Sequence, residues 1–159
     1  MGAKSEALAK KVEVKVHEVI ATVEKLSNAD WKKVTETEKW SVGVTAHHVA
    51  GALEAVAGLV KALASGQSRG ELTRAMLDEA NAAHAKEHAN CSKAETIALL
   101  EKGAVAAAAA VRGLNDDQLA TSGTVFADVP PMTVEQLVIA GLISHTDEHF
   151  GSIRKTVIN

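Results

Sequence analysis

The two prolines of this 159-residue chain stand side by side, Pro130 and Pro131. Proline breaks helix interiors, so everything on either side of that pair is free to run in long helices. The chain is 47% apolar but only 3% aromatic, with no Tyr. Alanine carries much of the apolar count; it is the best helix former and small enough to let helices pack closely, whereas the aromatics that strands favour are scarce. An all-α single domain spanning residues 1–159 is expected, with length enough for a real core.

Hydrophobic spacing places the helices. Leu8, Val12, Val16, Val19, Val23 and Leu26 form one stripe, which predicts a first helix from about Ser5 to Leu26. The alternation of Val12, Val14 and Val16 imitates a strand, but the longer stripe favours helix. Ser27 to Trp40 reads as a polar connection with room for a short helical turn. A second helix begins near Thr45 and runs to about Ala64, stopped by Ser65 and Gly66; a third runs from Glu71 or Thr73 to His88. Ser92 with Glu95 makes a capping-box pattern for a fourth, ending near Gly113. Asn115 to Met132 reads as a long loop, with no convincing strand. Thr133 with Gln136 then opens a last helix to about Val157. Five helices with unequal connections imply a four-helix core plus one accessory helix.

Composition narrows the function classes. Net charge is −3 with no basic run, which argues against nucleic acid. The single cysteine, Cys91, leaves no internal disulfide and no CxxC zinc motif. The N-terminal residues lack the apolar segment of a signal peptide. The most apolar stretch is taken as Gly103 to Val111, short and largely Ala, so no membrane span and a cytoplasmic location are expected.

Chemistry is concentrated in seven histidines: His17, His47, His48, His84, His88, His145 and His149. His145 and His149 are i and i+4 on the last helix, about 6 Å apart on one face, and can chelate a single ion. They share a stripe with Val138, Gly141, Leu142, Ser152 and Ile153, so both are expected to face inward, with Gly141 and Ser152 leaving room around the rings. His48 shares a mostly small-residue face with Val44, Thr45, Gly51, Ala52 and Ala55; His47 points about 100° away. A third His from another helix would complete three ligands and leave positions open for water or substrate. The alternative is that these are hydrogen-bonded core histidines. Thr146 breaks HExxH, no Glu has a His three residues later as in di-iron bundles, and there is no Gly-rich phosphate loop. His84 and His88 extend the face of Met76, Leu77 and Ala80, but Lys86 and Glu87 beside them favour an exposed or half-exposed helix end. His17 reads as a boundary residue.

Trp40-Ser41, His48 eight residues after the Trp, the late His145-x-x-x-His149 pair and Asn115-Asp-Asp-Gln-Leu119 together resemble the DinB/YfiT-like family of metal-dependent enzymes, over nearly the whole chain. The resemblance implies an up-down-down-up four-helix bundle and a divalent metal on His48, His145 and His149, commonly zinc or nickel, with iron or manganese as further candidates. Trp-to-His spacing selects His48 over His47. Many members carry Gln three residues after the final His, where this chain has Ser152, which puts one outer contact in question.

Three imidazoles leave the ion's charge uncompensated, so a bound water or a small thiol would be acidified. A hydrolase or a thiol-dependent transferase or isomerase is therefore expected. The alternative is a non-catalytic metal-binding or stress-associated bundle, with His84 or His47 closing the coordination sphere. Glu148 is the candidate for orienting a ligand His or acting as base, while Asp147, about 160–200° from the His face, reads as a surface acid. By analogy, substrate is expected around Trp40, Ala52, Met76 and the Phe126 to Met132 loop. A homodimer is compatible with the Ala-rich faces.

Overall fold

The computed structural model describes residues 2–67 and 71–158. In chain order come α1 (Ala3–Lys25), α2 (Asn28–Lys32), α3 (Val42–Ala64), α4 (Arg74–Glu87), α5 (Lys93–Arg112) and α6 (Asp116–Ala120). A two-residue antiparallel pair, β1 (Ser122–Gly123) with β2 (Met132–Thr133), precedes α7 (Val134–Val138), a π-helical stretch (Ile139–Ser144) and α8 (His145–Ile158). α1, α3, α5 and the α7–α8 run form the four-helix core of an all-α bundle; α4 is the accessory helix and buries no residue.

The expected stripe of α1 is buried, with Val12, Val16, Val19 and Val23 inside and Val14 exposed, so the strand-like alternation has no structural counterpart. Arg112 ties the end of α5 to α1 by bonds to Glu6 (2.8 Å) and Glu13 (3.0 Å). Besides the short β1–β2 pair, which lies where no strand is expected, four features differ from expectation. α3 starts at Val42 rather than near Thr45, because Ser41 Oγ accepts the Val44 N–H at 3.0 Å and caps the helix. Asn115, as part of a capping box with Gln118, opens α6 inside what reads as loop. Ser92 caps α5 through the Glu95 N–H, but the Glu95 carboxylate turns toward His47 instead of closing the box.

The fourth difference is the last helix. Its buried positions are 134, 137, 138, 142, 146, 150 and 153, and a four-residue step runs through them from 134 to 150. In a straight α-helix that step drifts about 40° each time. The i→i+5 bonding of the π stretch widens the turn and absorbs part of the drift. The buried Thr146 hydroxyl bonds the Leu142 carbonyl (2.8 Å), satisfying one acceptor of that irregular region.

α3, not Gly103–Val111, is the most apolar helix, long and apolar enough by composition to cross a membrane. Its apolar residues Val42, Val49, Leu53, Ala57, Val60 and Leu63 are buried in the bundle. Close approach of α3 and α5 depends on Gly103. A Cβ there would lie 2.8 Å from Leu53 Cβ and 3.2 Å from the Ala50 carbonyl oxygen. Gly103→Ala gains about 1 kcal/mol of helix propensity but overpacks a rigid contact at a cost of about 1–3 kcal/mol. A lower melting temperature is expected, whereas Gly58→Ala, which meets nothing within 4 Å, should raise it. Thermal melts of the two variants check the pair.

Candidate metal centre

α3 presents His48 near its N-terminus to His145 and His149 on the first turns of α8. His145 Nε2 lies 3.1 Å from His48 Nε2 and 3.2 Å from His149 Nε2. The three Nε2 atoms thus gather around one point, and the rings meet edge to face. Metal–nitrogen bonds of about 2.0–2.1 Å at tetrahedral angles place ligand nitrogens about 3.3 Å apart, so the observed spacing fits an ion with only slight ring adjustment. An all-imidazole set suits zinc, nickel, copper or iron better than the oxygen-seeking magnesium or calcium. Burial, and then the neighbouring imidazoles His145 and His149, push His48 down to about 3; burial, and then His149, push His145 down to about 4. Both rings are held neutral, which is the ligating form.

A residue that sequence reasoning missed completes this arrangement. Glu38 Oε1 accepts the His149 Nδ1–H at 2.8 Å, and Ser152 Oγ donates to Glu38 Oε2 at 2.7 Å. Accepting that proton fixes the tautomer and turns the Nε2 lone pair of His149 to the centre. Burial raises the Glu38 carboxyl, but bonds from Ser152, Thr35, His149 and its own backbone outweigh it and hold the group below the ordinary carboxylate range. Glu38 reaches the site from a tight loop. The Thr35 N–H bonds the Trp40 carbonyl (2.8 Å), the Val42 N–H bonds the Lys33 carbonyl (2.8 Å), and Lys39 takes a left-handed φ of 61°. That strained residue separates Glu38 from Trp40, whose ring packs edge-on against His48 with centroids 5.3 Å apart. Ser152, the position at which the resemblance put an outer contact in question, is thus part of that contact.

His47, adjacent to His48, faces a different direction and meets His84 and His88 of the α4 end, with Nδ1 2.8 Å from His84 Nε2. His84 and His88 are half-buried. Each three-histidine group could hold a metal ion.

Other expected residues fall outside the centre. Glu148 is exposed, and the carboxylate bonded to His149 is Glu38. Asp147 is the expected surface acid, paired with Lys15 at 2.9 Å. Gly141 leaves no room for imidazoles; it admits Val56, whose Cγ1 would be 2.8 Å from an added Cβ. His17 is exposed. The loop around residues 126–132 is anchored at the start of α4, by Ala127 N–H to Leu72 O (2.8 Å) and Arg74 N–H to Asp128 (3.1 Å). His84 and His88 lie at the other end of that helix, about 15 Å away by helical rise. Trp40 borders the first site through its contact with His48, and Met76 is exposed on α4.

Fold and side chains define the class: an all-α, DinB-like bundle with two three-histidine groups beside the start of its most apolar helix. The chain belongs to the family described as the mycothiol maleylpyruvate isomerase N-terminal domain, itself DinB-like, whose profile matches residues 12–138. The matched segment contains Glu38, His47, His48, His84 and His88 and ends before the π stretch and α8. No curated protein and no solved structure matches the chain.

Proposed function

We propose that the chain is a metal-dependent thiol enzyme of the transferase or isomerase type, holding one divalent ion on His48, His145 and His149 and binding a low-molecular-weight thiol at an open position. The observation that carries this reading is the convergence of three Nε2 atoms, with one ring clamped by Glu38. The family description adds the thiol, since it names a mycothiol-linked isomerase domain. A bound divalent ion supplies Lewis acidity, lowering the pKa of a thiol or water beside it.

The chain's own residues do the rest. The Glu38 carboxylate keeps the proton on His149 Nδ1 and raises the basicity of the opposite nitrogen. Ser152 keeps Glu38 ionised and oriented by donating to its second oxygen. Trp40 covers one edge of His48 and limits water access on that side. Three protein ligands instead of four leave the open position that catalysis needs.

The test uses tag-free protein stripped with chelator and reloaded with cobalt(II). Adding a small thiol is expected to produce a near-ultraviolet sulfur-to-cobalt band in the wild type and none in the His48→Ala, His145→Ala double variant. Loading of the wild type with no band on addition of thiol would sink the thiol reading and favour activation of water; failure of the wild type to take up cobalt would sink the site itself.

A further inference from the structure

We propose that His47, His84 and His88 form a second metal site, taking its own divalent transition-metal ion, with zinc as the probe, next to the first. One nitrogen from each residue lies within 4.8 Å of the others, and His47 Nδ1 is 2.8 Å from His84 Nε2. Consecutive residues on a helix diverge by about 100°, so His47 and His48 cannot share an ion face to face; each serves its own group. The His48 and His84 rings meet edge-on with centroids 5.9 Å apart, making a common wall between the two groups.

The facing ring nitrogens favour a ligand here. A neutral imidazole offers one donor and one acceptor. His47 Nδ1 and His84 Nε2 face each other at 2.8 Å, so an ion between them would take both lone pairs and leave the buried His84 Nδ1, which has no partner among the described residues, as the outer N–H of its ring. On the other side of the ring, His47 Nε2 is 3.9 Å from Glu95 Oε1, too far for a hydrogen bond. The three rings lie with centroids 4.2–4.9 Å apart, His47 and His88 stacked and the other two pairs tilted, and gathering them around so few hydrogen bonds is costly without a ligand.

Location adds a second argument. His88 is the C-cap of α4, its N–H bonding the His84 carbonyl at 2.9 Å. A cation there sits against the negative end of the helix dipole. α4 buries none of its residues, so apolar packing holds it weakly, and an ion shared with His47 would clip it to α3. Imidazole-only ligation excludes magnesium and calcium as occupants.

Zinc titration of chelator-stripped, tag-free protein by calorimetry tests this, with hydrogen exchange of α4 as a second readout. Two ions per chain are expected in the wild type, one in His84→Ala, His88→Ala and one in His48→Ala, His145→Ala. Zinc should slow exchange in α4 of the wild type but not in the first variant. His88→Gln alone, at a half-exposed cap, gives the same loss should the double variant fail to fold by circular dichroism. One ion in the wild type that survives the His84, His88 change overturns the second site and leaves the first standing. One ion that survives only the His48, His145 change supports this site and overturns the other. No ion in the wild type overturns both.

Discussion

Metal-free protein is expected to lose stability as the pH falls from about 6.5 toward 4, by up to about 4 kcal/mol at pH 5. His48 and His145 titrate in the folded state at about 3 and about 4, far below the 6.5 of an unfolded histidine. Between those values the unfolded chain binds more protons than the folded one, so stability rises with pH there and is lost on acidification. At pH 5 each ring contributes about 2 kcal/mol of that loss. Water entering around a protonated ring relieves part of the cost, which makes the sum a ceiling. It is still a large share of the 5–15 kcal/mol that holds a typical domain. His84, also pushed down to about 4 by burial first and then by His47 and His88, acts in the same direction but is more exposed. Glu38 adds its own loss only at lower pH, because its depressed carboxyl gives stability that disappears as the pH falls below the unfolded value of about 4.5. Denaturant melts of chelator-treated protein at pH 7.5, 6 and 5 check this. Equal stability at 7.5 and 5 would remove the case for neutral, buried rings, and His48→Gln, His145→Gln should flatten the dependence.

Much of this arrangement is legible in the residues because it obeys helical periodicity. His145 and His149 are one turn apart, and the stripe they share with Leu142 and Ile153 points into the bundle. His48 is reached by the same reasoning from the apolar face of α3. What periodicity cannot see is the loop. Glu38 lies in a segment with no repeat, and its aim depends on the left-handed Lys39 and on backbone bonds between residues 33–35 and 40–42. The only local signal is an acid two residues before Trp40, in the segment that leads to the first ligand.

The π stretch was equally hidden. A run such as Ile139–Ser144 has no composition that separates it from α-helix, and its widened turn changes which neighbours Gly141 serves. The second histidine group failed to stand out for a different reason. Lys86 and Glu87 mark α4 as solvated, which it is, yet a helix with no buried residue can still press its last turn against α3 through His84 and His88. Charge pattern reports on a face; it does not report on what a helix end touches.

Glu38→Ala is expected to weaken zinc binding at His48, His145 and His149 by 10- to 100-fold, about 1.4–2.7 kcal/mol, the usual cost of removing a ligand's outer hydrogen-bond partner. Without the carboxylate, His149 can place its proton on Nε2, the nitrogen that must face the ion, and Ser152 loses its acceptor. Glu38→Gln should fall between, since an amide oxygen still accepts from Nδ1–H but brings no negative charge. Ser152→Ala should cost less than either, because Thr35 and the Glu38 backbone remain to hold the carboxylate. Glu148→Ala, by contrast, should leave affinity unchanged, as that side chain is exposed on α8. Chelator-competition titrations in a His84→Ala, His88→Ala background confine the readout to one ion. If Glu148→Ala weakens binding while Glu38→Ala does not, the assignment of the orienting carboxylate is wrong; the reverse order ties the 35–40 loop to the metal chemistry of the bundle.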